Sequence, residues 1–376
     1  MPVGLISAPP PPKSAIALPM IQTDTKLSQT PVDVASITAL PNEVIAVAEQ
    51  HLRAILSLAF NHSEQHAAVV VFDTRCTLAL TLTAAYRLAL PHAKFIDFDA
   101  SSPEAVLAML APLVAADLVV LIQSTNFRMD AFRIRVELFK RELKVIEHPH
   151  LARMPGAQAL YYIDSLAYDP AYYRGVGNAL KTKIDQASGG VVDSGGAQLI
   201  FGSAFESAKL NVGDYSQMKN IGGQFPIGEV FTEAKDLEAV HGQVRIFVFG
   251  DTSFSVNQPA QPITLIITKG QVTDTLDSTP EFDQVLANIR ADEGVVWVRE
   301  LGFGMNRAFT KDRTVSDIGT YERMCGVHLS LGAKHGIYGK PNFKRGDGKH
   351  HVDVFAVTEA VMLDDEVVYR DGAWIV

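Results

Sequence analysis

Between Ala67 and His148 the chain alternates short apolar, β-branched runs with stretches of helical spacing, and few folds accept that order. The runs are AAVVVFD (67–73), KFIDFD (94–99), DLVVLIQS (117–124) and KVIEH (144–148). Each is too short and too uniformly apolar for a strand with one wet face, so they read as buried parallel strands. The segments between them, about 76–90, 103–114 and 130–143, have helical spacing. Ser102 and Pro103 with Glu104 open the second of these, a cap followed by proline at an early helical position. A further helix is expected from Pro41 to Phe60, in VIAVAEQHLRAILSLAF. Strand and helix alternating at this interval predict an α/β domain with a doubly wound parallel sheet. Its strand ends carry Asp73-Thr74-Arg75 and Ser124-Thr125-Asn126, where ligands often bind in such sheets. No GxGxxG or phosphate loop follows the first strand, so the domain is read as a packing and dimerisation scaffold without a nucleotide role.

Residues 160–188 are also expected to be helical. They include Tyr161, Tyr162, Tyr168, Tyr172 and Tyr173, a density typical of a core or an interface. Near Gly189-Gly190 the texture changes. AQLIFGS, VRIFVFGD, PITLIITKGQV, GVVWVREL and DVFAV are alternating runs separated by glycines and polar turns, which predicts a β-rich α+β domain. The ending EVVY, Asp-Gly, AWIV reads as a hairpin. A length of 376 residues suits two domains. The expected division is a proline-rich, loosely ordered segment 1–35, an N-terminal α/β domain 36–188 and a C-terminal domain 189–376.

Charge and composition narrow the function. A net charge of −9 argues against nucleic acid as the main partner. No run of about 20 apolar residues is present to span a membrane, and the first 20 residues lack the basic start of a signal peptide. The two cysteines, Cys76 and Cys325, are far apart in apolar surroundings, which reads as buried thiols in a reducing, cytoplasmic protein.

The residues that carry chemistry lie late in the chain. In a strand, residues two apart point to one face, so His351-Val352-Asp353 aims an imidazole and a carboxylate at the same point. His350, beside them, faces away. His328 interrupts the apolar run GVHLSLG, Glu300 ends the strand-like VVWVRE, and Glu229 follows Pro226 and Gly228. Carboxylates in apolar runs require partners. Nitrogen and oxygen donors of this kind suit a divalent cation.

Four segments in this order, GGQFPIGEVF, RELGFGMN, GVHLSLG and HVD, resemble the M29 metallopeptidases, the aminopeptidase T group, and more closely a leucyl aminopeptidase-like branch with ELGxGxN, HxxLG and HxD. The resemblance covers the C-terminal half and agrees with the N-terminal α/β layout. It implies a dinuclear centre of Glu229, Glu300, His328, His351 and Asp353 holding zinc, cobalt or manganese. Glu229 or Asp353 would bridge the metals, and Glu300 would also handle the proton of the attacking water. It further implies a homodimer acting on short peptides or other small molecules.

The chain departs from the family at one position. The peptidases place a catalytic tyrosine seven residues after the histidine of HxxLG, where this chain has His335, with Tyr338 three residues on. His335 and Tyr338 are therefore the candidate catalytic replacements. Lys334, Lys340, Lys344, Arg345 and Lys349 make this connection basic, which reads as a place to hold a substrate carboxylate or phosphate or as solvated charge, and Arg299 reads as the same kind of anchor or as a structural ion pair. Two alternatives remain. A related group of mononuclear iron(II) dioxygenases that open dihydroxypyridine rings shares His328, His351 and Asp353, a 2-His-1-carboxylate set. A metal-stabilised scaffold without turnover is the other.

Overall fold

The computed structural model describes residues 37–127, 134–216, 218, 220–251, 255–340, 343 and 348–376. The proline-rich segment 1–35, the start of the helix expected from 130, and Lys344 and Arg345 lie outside these residues. Ile37–Val376 forms one compact unit.

The first half of the chain folds as helix α1 (Asn42–Ala54), strand β1 (Ala68–Phe72), α2 (Thr77–Ala89), β2 (Lys94–Asp97), α3 (Pro103–Leu110), β3 (Leu118–Ile122), α4 (Ile134–Lys140) and β4 (Lys144–His148). Helices α5 (Ala157–Ser165) and α6 (Pro170–Gln186) follow. Ser102 caps α3 by accepting from the Ala105 amide, and Asp169 caps α6 in the same manner, each ahead of a proline. Strands β1 to β4 form a parallel sheet in the order β2-β1-β3-β4.

Alternation within the strands gives the sheet two dry faces. Val69, Val71, Val119, Leu121 and Val145 pack with Val106 and Leu110 of α3 and with Ile134 and Leu138 of α4. Val70, Phe72, Leu118, Val120, Ile122 and Ile146 point the other way, into a larger core that continues into the second half of the chain. Burial of each such side chain contributes about 1.5–3 kcal/mol.

The second half supplies β5 (Gly190–Asp193), β6 (Gln198–Phe201), β7 (Lys209–Asn211), β8 (Gly222–Gln224), β9 (Glu229–Glu233), β10 (Val240–Gly250), β11 (Val256–Asn257), β12 (Ile263–Thr268) and β13 (Gln271–Leu276). After α7 (Pro280–Glu293) come β14 (Val298–Gly304), the short α8 (Ile318–Tyr321), β15 (Gly326–Leu331), β16 (Val352–Ala356), β17 (Ala360–Leu363), β18 (Glu366–Arg370) and β19 (Ala373–Trp374). All but β8 join a large antiparallel sheet whose main path is β19-β18-β17-β5-β6-β10-β16-β15-β14-β9-β7. Strand β8 instead returns to the parallel sheet and pairs with β4. The protein is thus mixed α/β, a parallel sheet with helices joined to a β-rich antiparallel part. The C-terminal hairpin turns on Asp371 and Gly372, both at positive φ, the conformation a two-residue hairpin turn requires.

Cys325 is buried and Cys76 half-buried, both as free thiols. Asp73, at the carboxyl end of β1, accepts from the Ser124 amide at 2.8 Å and from its hydroxyl, so these two strand ends bind each other. Among the described residues no helix is long and apolar enough to cross a membrane.

Candidate metal centre

Four neighbouring strands each present one donor. Asp353 stands on β16, His328 on β15, Glu300 on β14, and Glu229 opens β9. Directly opposed residues of an antiparallel pair share a face. The pairings Ser330 with Asp353, Gly302 with His328, and Gly304 with Glu229 therefore put all four donors on one side of the sheet. Glu300 shares that side because it is two residues from Gly302. Gly302 is required there, since a Cβ at this position would collide with the His328 imidazole. His351 lies just before β16.

The donors fall into two groups. In the first, His328 Nε2 is 3.3 Å from Glu229 Oε1 and 3.4 Å from Glu300 Oε1. In the second, His351 Nε2 is 3.1 Å from Asp353 Oδ1, and Glu322 completes a set of three. Ligand atoms around a tetrahedral zinc, at about 2.0–2.2 Å from the metal, stand about 3.3–3.6 Å apart. The first group has that spacing. Glu229 Oε1, His328 Nε2 and Asp353 Oδ1 are buried and make no hydrogen bond. Buried polar atoms seldom lack a partner, and the presence of such atoms in both groups fits a cation in each. His351 Nδ1 lies 3.1 Å from the Lys334 carbonyl, an acceptor that places the ring hydrogen on Nδ1 and leaves Nε2 as the donor atom.

The electrostatics have the same sense. Burial opposes charge on Glu300, yet the neighbouring His328 and His335 imidazoles hold it well below the usual carboxylate range. Burial also works against a charged His328, but Glu229 and Glu300 raise its pKa well above the ordinary value. Burial and the neighbouring Asp353 push Glu322 up to about 8, against the pull of Arg323. Four carboxylates packed this closely repel one another, and a divalent cation relieves that repulsion.

Arg323 ties the two groups together. Its Nη1 is 2.9 Å from Glu229 Oε2 and 2.6 Å from Glu322 Oε2, with the guanidinium buried. Neither Glu322 nor Arg323 was evident from sequence. The one available signal was a Glu-Arg pair just ahead of the buried run GVHLSL.

Both replacement candidates are close by, in different roles. His335 Nε2 lies 2.7 Å from Glu300 Oε2, and its ring stacks at 5.3 Å on Tyr338 and at 6.1 Å on His351. The Tyr338 hydroxyl donates to the Ser207 carbonyl at 2.8 Å and so points away from the donors. Among the described basic residues of this connection, Lys340 and Lys349 are paired. Lys340 is buried and donates to Glu206 at 2.6 Å and to the Ala234 carbonyl at 2.6 Å. Lys349 and His350 both bind Asp292. Arg299 is a buried structural cation that pairs with Glu233 and donates to the Ala333 carbonyl at 2.8 Å.

A cavity of about 190 Å³ adjoins the second group, with Glu322, His351 and Asp353 in its wall. It reaches Gln224 at the end of β8, Phe225 after it, and Pro149 and His150 after β4, so it lies at the carboxyl edge of the parallel sheet.

No family model and no curated protein sequence matches the chain. Among solved structures, it is similar in fold to wild-type AmpT from Thermus thermophilus, with a TM-score of 0.53 at 13% identity. The likeness covers 88% of this chain and 99% of that one.

Proposed function

We propose that this protein is a metal-dependent hydrolase, an aminopeptidase-like enzyme that removes N-terminal residues from short peptides at a two-cation centre. The observation that carries the reading is the pair of donor sets that hold buried atoms without a hydrogen bond, Glu229 and His328 beside Glu300 in one and Asp353 beside His351 in the other. The motif resemblance to the aminopeptidase T group and the fold likeness to AmpT point in the same direction. Division of the donors into two sets of three favours two cations over the single His328, His351, Asp353 triad of an iron dioxygenase.

Glu229, Glu300 and His328 would hold one cation and His351, Asp353 and Glu322 the other. Zinc, cobalt or manganese suit these donors. Bound there, the cations would supply Lewis acidity toward the scissile carbonyl and acidify water. The chain's own groups do the rest. Glu300 accepts the proton of the attacking water, and His335, hydrogen-bonded to its Oε2, holds that carboxylate in place. Arg323 keeps Glu229 and Glu322 at fixed separation, so the two sets stay in register. A homodimer belongs to this reading through the motif resemblance, and light scattering of the purified chain tests it.

Elemental analysis should find two zinc, cobalt or manganese ions per chain, and the loaded protein should release leucine from leucyl-p-nitroanilide. Glu300→Gln should reduce that turnover at least a hundredfold. One iron per chain with oxygen uptake on a dihydroxypyridine would favour the dioxygenase. Fully loaded protein that turns over no peptide would leave only the scaffold.

A further inference from the structure

The cavity beside the second donor set has another chemically active wall. His150 follows β4 by two residues and lines the cavity together with Asp317, which precedes α8. His150 Nδ1 lies 3.1 Å from Asp317 Oδ1. Asp317 is buried, 1% exposed, and its other oxygen accepts from the Thr320 amide at 3.0 Å and hydroxyl at 2.9 Å. Arg153 donates to Oδ1 at 3.0 Å. A carboxylate held from three sides acts only as an acceptor, so the hydrogen of the shared bond belongs to Nδ1 of the imidazole. Nε2 is then the nitrogen that exchanges protons, and it has no hydrogen-bond partner among the described residues.

The backbone adds an independent sign. His150 has φ 56° and ψ 29°, the left-handed region that residues other than glycine seldom occupy. Such a conformation persists where the surroundings over-determine it, and it is concentrated at functional sites. Here the following turn, with the Leu151 amide on the Gln123 carbonyl and the Ala152 amide on the Ser124 carbonyl, anchors the chain that carries His150.

An imidazole oriented through Nδ1 by a buried carboxylate, in a cavity shared with candidate cation ligands, has the form of a general acid and its positioning partner. We propose that His150 is the catalytic acid that protonates the leaving amine, with Asp317 as its positioning residue. This rests on the hydrolase reading above. His150 enters the step as an imidazolium. Water forms the new C–O bond and gives its proton to Glu300. The C–N bond breaks, its electron pair stays on nitrogen, and that nitrogen takes the Nε2 proton. His150 is left neutral, with Nδ1–H still on Asp317, and both His150 and Glu300 re-equilibrate with solvent.

The test uses the metal-loaded full chain, with leucine amide and a matched leucine p-nitrophenyl ester as substrates. Two variants are made, His150→Asn and His150→Gln, because asparagine tolerates the left-handed backbone and protects against misfolding. An amine departs only when protonated, whereas p-nitrophenolate departs without help. The amide kcat should fall about 10²–10⁴-fold and the ester kcat less than about tenfold, with metal content and melting temperature unchanged. Equal losses on both substrates, or an unchanged amide rate in an active wild type, would overturn the role of His150 alone. A wild type inactive on both substrates would overturn the hydrolase reading and this one with it.

Discussion

At the scale of single residues, the centre is decided by a few atoms with nowhere else to go. His351 shows the consequence for pH. Burial opposes its charge, but Asp353 and Glu300 hold its pKa up at about 10. A pKa raised above the unfolded value, about 6.5, stabilises the metal-free fold fully below that pH and loses the contribution as pH rises through 10. Chelator-treated protein should therefore melt progressively lower between pH 6.5 and 10, and His351→Gln should flatten that slope. On the proposed reading a cation at His351 would displace the same proton, so affinity should rise with pH, with proton release measurable by calorimetry in buffers of different ionisation enthalpy. Gly302 is the other decisive residue. Gly302→Ala drives a methyl group into the His328 ring. It should cut cation affinity by tenfold or more in the same calorimetry, with the antiparallel sheet still folded by circular dichroism.

At the scale of elements, the connection from β15 to β16 places His335, and buried charge holds that connection in place. Arg299 on β14 reaches the Ala333 carbonyl and pairs with Glu233 on β9, while Lys340 crosses to Glu206 and to the carbonyl of Ala234. Removing one partner of a buried pair leaves the other charge uncompensated, at a cost of about 3–5 kcal/mol. Arg299→Met should destabilise the protein by that order in urea unfolding, because Glu233, with no exposed surface, loses its principal counterion. Lysines in a basic stretch usually read as solvated. Lys340 is buried because three acceptors from two distant segments meet it, which its neighbours in sequence do not reveal.

At the scale of the whole unit, a buried polar chain ties the end of β4 to the segment between β8 and β9, four residues ahead of Glu229. The Tyr162 hydroxyl donates to the Phe225 carbonyl at 3.0 Å, so it must accept from His148 Nδ1 at 2.8 Å, and His148 Nε2 then accepts from the Tyr86 hydroxyl at 2.8 Å. Burial pushes His148 down to about 3. A depressed histidine contributes stability that is full above its unfolded pKa, about 6.5, and is lost as pH falls through the folded value. Unfolding free energy should fall by up to about 1.4 kcal/mol per pH unit below 6.5 from this group. Comparison of denaturant midpoints for wild type and His148→Gln from pH 7 to 4 should show that slope removed in the variant.

What the sequence determined by itself were the features that repeat locally. The parallel strands, their helices and the final hairpin follow from periodicity and turn chemistry, which depend on residues a few positions apart. The candidate donors Glu229, Glu300, His328, His351 and Asp353 could be picked out because a charged or imidazole side chain in an apolar run demands a partner. Only the tertiary structure decided what depends on distant segments meeting. It returned β8 to the parallel sheet, brought Glu322 and Arg323 among the donors, turned the Tyr338 hydroxyl to the Ser207 carbonyl, and set His150 on Asp317 across 167 positions of chain. Strand pairing and side-chain partners at such separations are fixed by packing and hydrogen-bond satisfaction in three dimensions, and no local pattern encodes them.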